Sequence, residues 1–263
     1  MKRLQDKVAV VYGEGGVGSS IAKAFAKEGA MVFLAGLTKP KLDAIAEEVL
    51  AEEGVIETAR VDALDEQAVA AHMGSVIKKI GRVDISFNAI GIPQTGVQGI
   101  PLTELSVESF SLPIMTYTQS HFITSKAAAR HMVKQGYGVI LMHTPNAGKI
   151  SPPYVGGMVP AWAAIESLCR SLSVELGANG VRTVCLLTTA LPETPLIDEV
   201  WQIHGKTHGV SFEQFHDSIE SLTHRKRLTA VEELTNAAVF AASDEGSAIT
   251  GTILNLTAGM YVG

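Results

Sequence analysis

The chain has 263 residues, 46% of them hydrophobic and 18% charged. That composition supplies a large apolar core, excludes a disordered chain, and fits one large α/β domain better than two. With 21 basic against 27 acidic residues and a net charge of −6, nothing supports a nucleic-acid or anionic-membrane partner.

Cys169 and Cys185 are the two cysteines. They are too few for a disulfide scaffold or a cysteine metal site, and read as two buried thiols in a reducing compartment, with a single disulfide between them as the alternative. The polar start runs directly into an apolar strand that Gly13 to Gly18 interrupts, so no cleavable leader is predicted. No run approaches the roughly 18 apolar residues of a membrane span. A cytoplasmic protein with no membrane partner is expected.

Strands are predicted over 8–12, 31–35, 55–61, 83–88, 138–144, 181–187 and 252–256. Helical patterns cover 17–28, 39–53 and 66–80, and two long helices follow at about 106–133 and 160–177. Strand and helix in alternation predict crossover units, with a parallel sheet between two helical layers. The strands are nearly continuous in apolar residues, as burial on both faces requires. There is no repeat, low-complexity tract or linker, so 1–263 reads as a single domain. Residues 192–228 are loosely patterned and contain His204, His208, His216 and His224. They read as a mobile, substrate-side insertion.

The first strand ends in Gly13-Glu14-Gly15-Gly16-Val17-Gly18 and a helix follows. This is G-x-G-x-x-G between a strand and a helix, the context that gives the motif meaning. Gly13 would allow a tight turn, Gly15 a close approach of backbone to a pyrophosphate, and Gly18 close packing of helix on strand. Free N–H groups at the helix start would face the anion. The fold class predicted is therefore a Rossmann-like, doubly wound parallel sheet in three layers.

Further pieces follow in order: Val61-Asp62, Asn88-Ala89-Ile90-Gly91, Ala127 to Met132, Glu166-Ser167-Leu168, Thr194-Pro195-Leu196 and Thr250-Gly251-Thr252. With these the chain resembles the short-chain dehydrogenase/reductase family over nearly its whole length. The resemblance implies NAD or NADP as cofactor. It implies a dinucleotide site at Gly13, Gly15, Gly18, Asp62, Asn88, Ala89, Gly91 and Thr194. It also implies a dimer or tetramer, homo- or hetero-oligomeric, built on the two long helices. The glycine turn is one residue shorter than the family's usual form, and the second strand ends Ala35-Gly36-Leu37-Thr38-Lys39. An acid there would accept the ribose hydroxyls of NAD, and an arginine would favour NADP. Gly36 and Leu37 are neither, and Lys39 reads as a solvated lysine or a phosphate contact, so the type of cofactor stays open.

The family's chemistry rests on Asn, Ser, Tyr and Lys. Counting from the flanking matches, these positions carry Tyr117, Pro145, Met158 and Trp162. Methionine has no exchangeable proton, tryptophan donates one N–H without charge, and proline has no polar side chain. Tyr154 is the candidate substitute acid, one position off the tyrosine of the family's enoyl-reductase branch. It competes with a packed loop aromatic. His143 and Lys149 are further titratable groups near this segment, read otherwise as a buried histidine and a solvated lysine. His204 and His208 are spaced i, i+4, but Gly205 and Gly209 are read as breaking the helix, and no metal site is predicted. Two functions stand: an NAD(P)-binding protein of oxidoreductase ancestry with a non-standard site and an unknown small-molecule partner, or a non-catalytic subunit beside an active family member.

Overall fold

Strand β1 (Val8–Tyr12) is buried at every position and pairs in parallel with β2 (Met31–Gly36) on one side and β4 (Ile85–Asn88) on the other. The remaining strands are β3 (Val55–Arg60), β5 (Gly138–Thr144), β6 (Val181–Thr188) and β7 (Thr252–Leu256). The sheet order is β3-β2-β1-β4-β5-β6-β7, with every pairing parallel. The computed structural model describes residues 2–262 apart from 147 and 149–151, and only the backbone of 206–208.

Helices α1 (Gly16–Lys27), α2 (Lys39–Ala51) and α8 (Val231–Ala242) cover one face, with Ile21, Phe25, Leu42 and Val239 in the core beneath them. Helices α3 (Glu66–Ile80), α4 (Val107–Gln135) and α5 (Met158–Leu176) cover the other, over Val69, Met73, Met132 and Ile165. This is the expected three-layer, doubly wound arrangement. Helix ends follow local chemistry. The Asp65 side chain accepts the Gln67 and Ala68 N–H groups at the start of α3, and Gly81 ends that helix with φ 90°. Ser106 caps α4 through the Ser109 N–H.

Cys169 and Cys185 are both buried and unpaired. Burial pushes the Cys169 thiol up to about 11, so it is not a ready nucleophile. No helix among the described residues is long and apolar enough to cross a membrane.

The segment read as loosely patterned folds into α6 (Leu196–His208) and α7 (Phe212–Ser221). Ser211 starts α7 in a capping box with Gln214. Gly205 does not break α6. The helix runs through it to Gly209, which closes it with φ 65°. A Cβ at Gly205 would stand 2.8 Å from the Trp201 indole nitrogen, so the glycine there makes room for a side chain one turn back.

Candidate functional site

The sheet order reverses between β1 and β4, and in open α/β sheets ligands bind in the crevice at such a point. Tyr12 and Asn88 are register partners there, so the two chain segments leave the sheet side by side. Above them opens a cleft of about 1490 Å³.

The glycine turn forms its floor. Gly13 has φ 111°, and a Cβ on it would stand 2.4 Å from the Ala89 carbonyl oxygen. A Cβ on Gly18 would lie 1.9 Å from the Gly13 oxygen, so α1 packs directly on the turn. Gly15 is the N-cap of α1. Nothing lies within 4 Å of where its Cβ would be, no side chain caps the helix, and its first turn carries no acid. These are the features of an anion cradle: uncapped N–H groups at a helix start and open space in front of them. A dinucleotide's pyrophosphate fits the residues present.

Asn88 is buried. It donates to the Thr124 hydroxyl at 3.0 Å and accepts the Ile90 N–H at 3.1 Å, which shapes the turn from Ala89 to the exposed Gly91. Thr194 is buried beside the turn, its hydroxyl bonded to the Leu191 carbonyl at 2.8 Å, and a Cβ at Gly16 would touch it at 3.0 Å. Asp62 is exposed, accepts the Leu64 N–H at 2.9 Å, and lies outside the cleft wall.

Tyr117, Pro145, Met158 and Trp162 all line this cleft. They come from α4, from the end of β5 and from α5, so the fold gathers residues far apart in sequence. Met158 and Trp162 sit in an apolar cluster with Ile92, Val97 and Val155, against which Tyr117 packs. Burial pushes the Tyr117 hydroxyl up to about 12. The buried Glu166, from which positions 158 and 162 are counted, accepts the Gly148 N–H at 2.8 Å and ties the loop after β5 to α5.

Tyr154 takes a left-handed backbone conformation, φ 61°, and its carbonyl accepts the Gly99 N–H at 2.7 Å. Pro152, Pro153 and Val155 around it line the cleft, whereas Tyr154 does not. His143 does line it and meets the Thr188 hydroxyl at 3.0 Å. Lys149 and the His208 side chain lie outside the described residues. His204 is buried, bonded to Gln98 at 3.0 Å and stacked on Phe215. Among the described residues one group, His216, Asp217 and Glu220 on α7, brings potential metal-ligand atoms together. His204 is not a member of that group, and His224 packs against Gly259.

Three features escaped the sequence reading. His121 on α4 is buried and lines the cleft. Its Nδ1 contacts the Tyr117 carbonyl at 2.9 Å and must carry the proton, which leaves Nε2 a lone-pair acceptor without a partner. Burial lowers its pKa to about 4, and burial with the neighbouring His121 lowers that of His143 to about 3. Second, a polar chain with buried Gln94 and Gln98 runs along the cleft wall. Gln98 donates to Gln94 at 2.5 Å, and the Gln94 N–H donates to Glu199 at 2.9 Å. Third, Glu14 in the glycine turn reaches across to the end of β2. A histidine four residues after Tyr117 was the one local signal, because it shares that helix face.

A family model described as enoyl-(acyl carrier protein) reductase matches residues 11–261. The uncharacterized oxidoreductase YxjF of Bacillus subtilis (strain 168) is 30% identical over 97% of this chain and 98% of its own. A solved short-chain dehydrogenase/reductase from Burkholderia xenovorans superposes with TM-score 0.89 at 27% identity, covering 99% of this chain and 98% of that one. A 7α-hydroxysteroid dehydrogenase, solved in complex with NADH and 7-oxo glycochenodeoxycholic acid, superposes with TM-score 0.84 at 26% identity, covering 98% of this chain and 95% of that one.

Proposed function

Because the chain belongs to the short-chain dehydrogenase/reductase family of oxidoreductases, we propose that it binds NAD(P)(H) in this cleft without the family's usual proton-transfer set. The observation that carries the reading is the apolar contact of Met158 and Trp162 on the cleft wall, with Pro145 and Tyr117 beside them. Gly13, Gly15 and Gly18 would hold the pyrophosphate, with Asn88, Ala89, Gly91 and Thr194 alongside. Asp62, exposed on the loop after β3, is the residue proposed for the adenine end. The nicotinamide, when bound, supplies hydride transfer. This chain's own residues offer it an apolar wall and two neutral imidazoles. Met158, Trp162, Pro145 and Tyr117 on that wall bring no cation to stabilise a charged alkoxide, so ordinary carbonyl or alcohol redox is not the expected activity.

A lysine on the nicotinamide ribose would add a charge-assisted hydrogen bond worth about 1.5–3 kcal/mol. Its absence predicts affinity roughly 10–150-fold below that of a family member with the lysine. Calorimetry with NADH and NADPH tests the reading. No heat with either at millimolar concentration overturns it.

The second reading is a non-catalytic subunit beside an active family member. It is favoured by apolar side chains left on α4 and α5, where Met115 is 60% exposed, Phe122 51% and Val174 85%. Ala163, Ala164, Leu168 and Leu172 on α5 are only half-buried. Such a face is a liability in a monomer. Light scattering should find a dimer or tetramer, and a stable monomer at micromolar concentration contradicts that. Partners that co-purify and carry their own Tyr-x-x-x-Lys favour the subunit reading.

A further inference from the structure

The end of β2 has no acid, and the structure puts one there from another segment. Glu14 leaves the glycine turn and its Oε1 accepts two backbone N–H groups, from Leu37 at 3.1 Å and Thr38 at 3.0 Å. Its Oε2 stands over Gly36, where a Cβ would lie 2.0 Å from it. Glycine at 36 therefore makes the room that the carboxylate occupies. Thr38 is the N-cap of α2, and its own side chain makes no capping bond. Glu14 thus serves the donors at the start of α2, and it lines the cleft beside Gly15 and Gly16.

This arrangement separates two ligands. A free ribose 2′-hydroxyl is a donor, and a carboxylate with lone pairs to spare accepts it. A 2′-phosphate is an acceptor that carries about −1.5 to −2 charges. It would need N–H donors and cations, and would meet a like charge instead. The two N–H groups best placed for it are already bonded to Glu14. Of the cations nearby, Lys39 pairs with Asp43, Lys23 with Glu48, and Arg60 donates to the Leu37 carbonyl at 3.3 Å, which leaves Lys41 as the cleft-lining cation without an ion pair among the described residues.

We propose that Glu14 is the cofactor-selecting residue of this protein, admitting a dinucleotide with a free 2′-hydroxyl, NAD(H), and rejecting the 2′-phosphorylated NADP(H). The proposal rests on the dinucleotide reading above. It differs from an acid on β2 in that selection is carried by the turn that holds the pyrophosphate.

The test is direct titration of the purified full chain with NADH and with NADPH, read by nucleotide fluorescence and by calorimetry. NADH should bind at least about 10-fold more tightly, the smaller end of what one charge-assisted hydrogen bond gives. Glu14→Ala and Glu14→Gln should each reduce that ratio several-fold or more, by weakening NADH and relieving NADPH. Gly36→Ala should do the same with Glu14 itself unsubstituted, because its methyl group displaces the carboxylate. Circular dichroism and thermal melting establish that the variants are folded. NADPH binding as tightly as NADH to the wild type overturns the selection while leaving dinucleotide binding intact. So does a ratio unmoved in all folded variants. Failure of both nucleotides to bind overturns the dinucleotide reading and this proposal with it.

Discussion

Gly13 lies against Ala89 so closely that a methyl group on Gly13 would stand 2.4 Å from the Ala89 carbonyl oxygen. Its φ of 111° is also one that L side chains rarely adopt. The Ala89 N–H in turn donates to the Tyr12 carbonyl at 2.8 Å, so the two segments lock each other at the ends of β1 and β4. Gly13→Ala should therefore cost at least about 2 kcal/mol of stability, from strain and overpacking together. Gly15→Ala should stay within about 1 kcal/mol of wild type, because nothing lies near its Cβ position. Its methyl group would project into the open space before the helix N–H groups, so dinucleotide affinity should fall. Urea midpoints and nucleotide titration on the two variants check this. Equal stability of both would contradict the packing account.

The buried histidines predict how stability changes with pH. The folded-state pKa of His121 is lowered from 6.5 to about 4 and that of His143 from 6.5 to about 3, in both cases mainly by burial. The unfolded chain therefore binds protons first on acidification. The stability these groups contribute is complete above pH 6.5 and is lost as pH falls towards their folded values. The slope is at most about 1.4 kcal/mol per pH unit for each histidine. Glu233, held near 2 chiefly by its hydrogen bonds from Arg227, has an ordinary value of 4.5 and acts below most of this window. The urea midpoint should be clearly lower at pH 5 than at pH 7.5, and His121→Gln should flatten the difference. Identical midpoints at the two pH values would refute the assignment.

Tyr12 is 1% exposed and its hydroxyl has no hydrogen-bond partner among the described residues. Burial drives its pKa well above the ordinary tyrosine value. His72 meets the ring edge-on at 6.0 Å, and its Nδ1 is likewise buried without a partner. A buried polar group left unmade costs about 1–3 kcal/mol. Removing the hydroxyl while keeping the ring should then leave Tyr12→Phe as stable as wild type or about 1 kcal/mol more stable. A loss of that size in chemical denaturation would mean that the hydroxyl has a partner after all.

Much of the sheet was legible because its strands are covered on both faces. An unbroken run such as Val8–Tyr12 has no solvent side on which to place a polar residue. The strand predicted from 83 begins at Ile85 because Asp84 is used otherwise: its carboxylate accepts the Val8 N–H at 2.7 Å and pairs with Arg82. Helix α6 was missed within 192–228 because Gly205 looks like a helix breaker until Trp201 is seen to need its space. The glycine turn and Asn88 were legible because each carries its chemistry within a few residues. Glu14, Gln94 and Gln98 were not, because their partners lie at Leu37, Glu199 and His204. Such pairings exist only after the sheet has brought distant loops together.

The same cleft decides the chemistry expected of the isolated chain. Proton transfer by a positioned group contributes typically 10²–10⁴-fold, and the wall offers none at Pro145, Met158 or Trp162. Tyr117 is raised to about 12 by burial and loses its proton reluctantly. His121 and His143 are neutral at pH 7. Tyr154 sits in the loop whose neighbours Pro152, Pro153 and Val155 form the wall, at a left-handed backbone position. Purified protein assayed against a panel of simple carbonyls and alcohols with NADH and NADPH should show no appreciable turnover. Any turnover that does occur should be lost in Tyr154→Phe while nucleotide affinity is unchanged. Robust wild-type activity that persists in Tyr154→Phe would defeat both parts, and would move attention to His121, the buried acceptor on the cleft wall.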